Sequence, residues 1–506
     1  MARAWVERSV LLGLILLGGW LRLGTLDDGI SPDEFANLWH GGLESAWAIA
    51  VDPESGVNPP LLRLLFNPLL PEPWTFTLGR LFSWSCGVAA IGLAFVVGRG
   101  ASGGSSLAGL AAAALVALDP QAVKMSGRFR AYAAWVATMG WQLVALEAWM
   151  RARRAEDAEA ARRWAPHVVV SALLLPQWHY VAIPVLLALG AFLLAQRPFR
   201  RGVLLYVPAA VAVAPLGLIV LGETGARVEH GTPLPRLYAL LLSLDLRGLP
   251  SLVRTARPWL PEALRPEAEH AVIAVPLGVA LLVALLCWRR WNDLGRACLV
   301  GAVAVLLTAL AFSRVQLVRT PTVLMLLVFA APLLAALPSR LPWLGRQVWG
   351  PPMLLLALGA LVGPGLPGDL DATRHEEVYA GLPRFAEEHR RWDAERGDLP
   401  VRTWPAYTYV GLYYYLTGRH VRFMDGYGPS GCGPTEDGCF AVDGVRYLAI
   451  REGDREAPRG ALVAAFGRPP DGFADGCTSL HEERWYRVWR CPAEPVDAAP
   501  DASRAP

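Results

Sequence analysis

The sequence predicts an all-α polytopic membrane domain of about eleven transmembrane helices, followed by a small extracytoplasmic α/β domain. Three observations carry that reading. Of 506 residues, 54% are hydrophobic and only 18% charged, against roughly 25% charged in soluble domains. Apolar runs of about 15 to 20 residues, long enough to span a bilayer, recur through the first 363 positions. Beyond 364 the composition turns polar, and four of the seven cysteines gather there.

The predicted spans are 9–26, 76–98, 104–118, 131–150, 166–176, 181–195, 203–221, 271–288, 297–312, 321–337 and 347–363. The first follows Arg3 and Arg8 and is read as uncleaved, because no small-x-small site follows it. Charge decides how 166–195 is divided. The segment "RARRAEDAEAARR" at 151–163 and the loop "RPFRR" at 197–201 are both arginine-rich. Short arginine-rich loops face the cytoplasm, so both stay inside only if the chain crosses out and back, breaking at "PQWHY". The loops "WRRWNDLGR" and "PSRLPWLGRQ" then fall inside as well. The N-terminus is inside and the C-terminus outside, where Cys432, Cys439, Cys477 and Cys491 are expected to form two disulfides. The expected domains are 1–363 in the membrane, 364–494 outside it, and a disordered tail at 495–506. In the outer domain a helix is expected over 374–397 and another over "PAYTYVGLYYYLTG". Strands are expected at "VRTW", "VRFMDG", "VRYLAI", "ALVAAF" and "RWYRVWRC".

Chemistry-bearing residues collect on the predicted outer face. The segment "DPQAVKMSGRFR" at 119–130 carries Lys124, Arg128 and Arg130 on the side where positive charge is disfavoured. Guanidinium groups there suit a lipid phosphate, which they bind in a bidentate way; non-specific headgroup contact is the plainer alternative. Upstream, "GISPDEFANLWH" holds Asp33 and Glu34. Ser31 as N-cap, Pro32 in the first turn and Glu34 three residues on form a capping box, which gives Glu34 a structural task. Asp33 points about 100° away around that helix, where a general base could stand; a start one residue later would exchange the two roles. Asn58 in "NPP" marks a turn back toward the second span, His179 and Tyr180 tip the short helix pair, and Arg319 flanks another outer loop. Arg22 and Arg80 lie near span ends, with reach to snorkel. The run "GRGASGGSSLAG" lacks the Lys-Ser/Thr ending of a phosphate loop and reads as a tight cytoplasmic turn.

In order, "SPDEFANLW", "NPPLLRLL", "LGRLFSWSCGVAAIGLAFVVGR", "PQAVKMSGRFRAYAAW" and "LPQWHYVAI" resemble the GT-C membrane glycosyltransferases, in particular those akin to protein O-mannosyltransferases and aminoarabinose transferases. The likeness covers about 200 residues well and the later spans loosely. It implies an inverting transfer of a sugar from a polyisoprenyl-phosphate carrier to a glycan, lipid or protein acceptor outside the bacterial cytoplasmic membrane. It also implies that Asp33 is the catalytic base and that Arg128 or Arg130 lies near the carrier phosphate. Beside it, Glu34 is kept as a second catalytic candidate, Lys124 and Arg319 as further donor-phosphate candidates, and Asn58, Tyr132, His179 and Tyr180 as substrate-site candidates. Asn58 departs from the family's usual histidine. No cofactor is read from the sequence, no His/Asp/Glu grouping has ligand spacing, and a divalent metal is left open. The partners are the bilayer, the lipid-linked sugar and an unnamed acceptor, with no nucleic acid. A non-catalytic lipid-sugar-binding relative and a lipid or glycan transporter are the competing readings.

Overall fold

The computed structural model describes residues 2–26, 34, 72–212, 282–311, 324–341, 377–392, 399–404, 412, 416, 439–442, 445–449, 457, 461–466, 473–482 and 486–492. The chain divides into two compact units. One comprises Met1–Leu26 with Ser45–Arg374, the other Asp27–Glu44 with His375–Pro506.

The first unit is helical. Its described helices are α1 (Ala2–Leu23), α2 (Glu72–Ala101), α3 (Ser106–Leu118), α4 (Pro120–Ser126), α5 (Tyr132–Arg154), α6 (Ala158–Trp178), α7 (Ala182–Ala195), α8 (Asp293–Ala311) and α9 (Leu324–Ala336). Local chemistry explains each break. Gly103 and Gly104 take positive φ between α2 and α3, and the Ser105 hydroxyl then caps α3 by accepting from the Ala108 amide. This is the tight turn expected from the glycine run. Asp119 ends α3 and caps α4, its carboxylate accepting from the Ala122 amide at 2.7 Å ahead of Pro120 at the first helical position. Asp157 caps α6 in the same way through the Ala160 amide. The predicted division of 166–195 holds: α6 stops at Trp178, His179 is extended, and α7 begins at Ala182.

Two opposite ends emerge from the side-chain contacts. At one end the Ser106 hydroxyl donates to the Glu7 carboxylate at 2.8 Å, and Arg154 pairs with Asp293 at 2.6 Å. There too Asn292 donates to the Gly100 carbonyl, and Arg340 to the carbonyls of Arg290 and Ala101. The arginine-rich loops predicted to share a face therefore meet. At the other end lie the close of α1, the segment 119–130 and the tip of the α6–α7 pair. The total of about eleven spans is not established. Among the described residues one helix, Thr77–Ala101, is by itself long and apolar enough to cross a bilayer, and Ser106–Leu118, Ala182–Ala195 and Leu324–Arg340 are shorter apolar helices. The predicted span 203–221 falls in part, 271–288 largely and 347–363 wholly outside the described residues.

In the second unit, α10 (Glu377–Glu388) packs on a six-stranded mixed sheet of order β2-β3-β1-β4-β6-β5. The strands are β1 (Val401–Trp404), β2 (Cys439–Val442), β3 (Val445–Ala449), β4 (Ala461–Phe466), β5 (Thr478–Glu482) and β6 (Tyr486–Cys491). β1 runs parallel to both neighbours and the other pairings are antiparallel. Phe385 of α10 meets Phe466 and Tyr486 edge-on, each at 5.6 Å. Among the described residues the disulfide Cys477–Cys491 ties the approach to β5 to the end of β6; Cys432 lies outside them. The expected helix over 374–397 is α10 with a 3-10 turn at His389–Trp392. The predicted strand at "VRFMDG" and most of the second predicted helix lie outside the described residues.

Glycines set how closely the first unit packs. A β-carbon at Gly79 would collide with the Phe129 ring, one at Gly87 with the Ser126 hydroxyl, and one at Gly127 with the Thr25 hydroxyl. At Gly92, on the same helix as Gly87, nothing stands within 4 Å. Close approach through small residues is the usual route to tight helix packing in membranes. Gly87→Ala should therefore destabilise the protein by about 1–3 kcal/mol through overpacking, while Gly92→Ala is neutral or slightly stabilising. Thermal unfolding in detergent measures both, and equal midpoints would refute the packing role.

Candidate functional site

The basic segment is built into the helical unit rather than laid on its surface. After α4 the chain turns at Gly127, and the Arg130 amide donates to the Arg128 carbonyl at 2.7 Å across a three-residue turn. Phe129 at the apex is wholly buried and packs on Gly79 of α2. That anchor places Arg128 and Arg130 on either side of it, only 4% and 6% exposed. The Ser83 hydroxyl of α2 donates to the Arg130 carbonyl at 3.2 Å and fixes the end of the turn. Lys124, in the last turn of α4, is half-buried.

Arg22 and Arg80 are not snorkelling charges. Both are buried, at 0% and 2% exposure, and both donate inward to backbone carbonyls. Arg80 reaches the Leu26 carbonyl at 2.7 Å. Arg22 donates through Nη1 to Gly18 and Ala117, through Nη2 to Val116, and through Nε to the Ser126 hydroxyl at 3.2 Å. The last carbonyls of a helix lack partners within it, and Arg22 supplies them for α3 while gripping α4. Its inward direction could not be read from position in the run alone.

The fold brings three predicted residues together. Arg130 Nη2 donates to the Tyr132 hydroxyl at 3.1 Å, and its guanidinium lies 5.2 Å from the centre of the Tyr132 ring. The Tyr132 and His179 rings stand 5.7 Å apart. His179 Nδ1 accepts from the Val181 amide at 3.3 Å, so the proton of the neutral ring sits on Nε2. At the turn between α6 and α7, burial and then the Arg130 charge push the His179 pKa down to about 3. The ring is thus a neutral donor, not a cation. Tyr180 is half-buried beside it.

Of the acidic pair, Glu34 is described: it is helical, fully buried and in the second compact unit. Asp33, Asn58 and Arg319 lie outside the described residues. Among the described residues no group of three or more His, Cys, Asp or Glu side chains could hold a metal ion.

The sequence matches no family model and no curated protein. Solved structures do resemble it. ArnT from Cupriavidus metallidurans in the apo state superposes with a TM-score of 0.50 at 14% identity, over 96% of this chain and 98% of that one. The same protein bound to undecaprenyl phosphate gives 0.45 at 13% identity, over 97% and 98%. The apo oligosaccharyltransferase of Archaeoglobus fulgidus gives 0.45 at 15% identity, over 82% of this chain and 64% of that one. At such identities the likeness shows the fold alone: this chain shares the overall fold of ArnT.

Proposed function

We propose that the protein is an inverting glycosyltransferase that moves a sugar from a polyisoprenyl-phosphate carrier to an acceptor hydroxyl at the outer face of the bacterial cytoplasmic membrane. The observation that carries the reading is the buried Arg128–Phe129–Arg130 turn with Tyr132 and His179 at the bundle end opposite the arginine-rich loops. Buried guanidinium groups at a membrane face are costly and point to an anionic ligand. ArnT, whose fold the chain shares, has been crystallised with undecaprenyl phosphate, a ligand of that class.

The chemistry follows from charge. A lipid-linked sugar phosphate is a phosphodiester with one negative charge. As an acceptor oxygen attacks the anomeric carbon and the bond to the phosphate oxygen breaks, the departing phosphate gains a second charge. Arg128 and Arg130 would then bind the transition state more tightly than the ground state, which is the condition for catalysis. His179, neutral and with Nε2–H available, would add a hydrogen bond without repelling the arginines. Asp33 would take the acceptor proton, leaving Glu34 in its buried structural place. The half-buried Lys124 and Tyr180, with Asn58 and Arg319, complete the expected donor and substrate shell.

Purified protein incubated with a panel of polyprenyl-phosphate sugars should release free polyprenyl phosphate. Asp33→Asn should lose about 10²–10⁴ of that turnover while still binding the carrier, and Arg130→Gln should lose about 10²–10³ in kcat. Carrier binding with no release by the wild type would replace catalysis with the binding-relative reading. Undiminished turnover in Asp33→Asn would remove that residue as base. His179 gives an independent pH signature. Its folded pKa of about 3 lies below the ordinary 6.5, so the unfolded chain takes up the proton first. The stability it contributes is complete above 6.5 and declines as pH falls toward 3. Between pH 7 and 4 the wild-type unfolding midpoint should drop further than that of His179→Asn; parallel curves would mean that this ring is not buried.

A further inference from the structure

Between α7 and α8 runs a cavity of about 390 Å³, from Pro184 near the α6–α7 tip down to Trp288 at the end bearing the arginine-rich loops. Its walls are apolar: Pro184 and Ala188 from α7, Val300, Val303 and Leu307 from α8, and the Trp288 ring at the foot. Leu307 is 59% exposed and Trp288 37%, so the cavity is open along its side. Val300, Val303 and Leu307 follow Arg296 at steps of four, three and four residues, which puts all four on one helical stripe. Arg296 therefore stands directly below the groove.

The foot is cationic. Arg296 lies 5.7 Å from the centre of the Trp288 ring and donates to the carbonyls of Trp288 at 3.2 Å and Arg289 at 3.3 Å. A guanidinium has five N–H donors, so these two bonds orient the group while leaving capacity to bind a further oxygen. Arg289 is exposed beside it. The nearby acid on the same helix, Asp293, is taken up by Arg154. From Arg296 to Leu307 the stripe rises about 16 Å at ~1.5 Å per residue, close to half of a hydrocarbon core of about 30 Å.

We propose that this groove holds one anionic phospholipid of the leaflet on that side, with an acyl chain on the Val300–Leu307 stripe and the phosphate on Arg296 and Arg289. The length matches a single leaflet, the walls match a hydrocarbon chain, and the charge falls where the chain would end in a headgroup. Basic pockets between membrane helices recognise headgroups in this way. The headgroup foot of the site lies at the end of the bundle opposite Arg128 and Arg130, so the proposal does not rest on the donor site.

Native mass spectrometry of the detergent-purified full chain, titrated with phosphatidylglycerol or phosphatidylcholine of equal chain length, tests the idea. The wild type should retain one phosphatidylglycerol with about ten-fold or greater preference, as expected for two arginines at one headgroup. Arg296→Gln combined with Arg289→Gln should erase the preference, and Arg296→Lys should keep most of it. Val303→Phe, which fills the groove without touching the arginines, should lose both lipids. Equal retention of the two lipids by the wild type, full retention by Val303→Phe, or displacement by millimolar inorganic phosphate would each overturn the proposal.

Discussion

The helical unit depends on one buried guanidinium. Arg22 sits in the last turn of α1 and reaches across to the final carbonyls of α3 and the Ser126 hydroxyl of α4. A charged group at such a position is expensive in a membrane, and it persists only when its donors are filled. Here the unpaired carbonyls at the end of α3 fill them, so two liabilities cancel: orphan acceptors and a desolvated cation. The bond to Ser126 carries the result further, because Ser126 is the last residue of the short helix that leads into the Arg128–Arg130 turn. Gly87 and Gly127 let α2 and Thr25 close on the same segment. The arginine's bonds help hold the glycine gaps shut. Without the glycines the arginine could not reach.

Much of this was legible in the sequence, and the parts that were not share a physical cause. The break at His179 could be read because two arginine-rich loops had to lie on one side of the bilayer, a constraint that acts on whole segments. The glycine turn at 102–105 and the strands at "ALVAAF" and "RWYRVWRC" announce themselves through local chemistry. Strands β2 and β5 did not: "CFAV" is short, and "TSLHE" is a polar, exposed edge with no apolar face to count. Arg22 was read as a charge at a span end, because periodicity shows which face a residue occupies but not which helix end stands opposite. The Arg130–Tyr132–His179 grouping could be anticipated as three candidates. Its stacking order could not, since it depends on where the α6–α7 tip folds back.

The two ends of the bundle are held by different means, and this separates their tasks. The end bearing the arginine-rich loops uses exposed and half-buried arginines donating to backbone carbonyls, with the ion pairs Arg154–Asp293 and Arg151–Glu147. Half-burial of Arg340 lowers the pKa of its guanidinium through desolvation, yet the group stays a cation and caps the turn at Ala101. Such contacts tie helix ends together and tolerate water. The opposite end keeps Arg22, Arg80, Arg128, Arg130 and His179 all at 6% exposure or less. Of these, Arg22 and Arg80 are spent on backbone carbonyls, while Arg130 turns to the Tyr132 hydroxyl beside His179.

The consequence bears on how an anion would be held. A guanidinium in water loses most of its attraction for a phosphate to screening, whereas the same pair in a low-dielectric site interacts several times more strongly. The gain is realised only if the groups are already in place, since ordering them at the moment of binding would consume it. Phe129 on Gly79, Ser83 on the Arg130 carbonyl and Tyr132 on the Arg130 guanidinium each restrict one degree of freedom of the turn. His179 adds a donor whose low pKa keeps it from competing for the anion as a third cation.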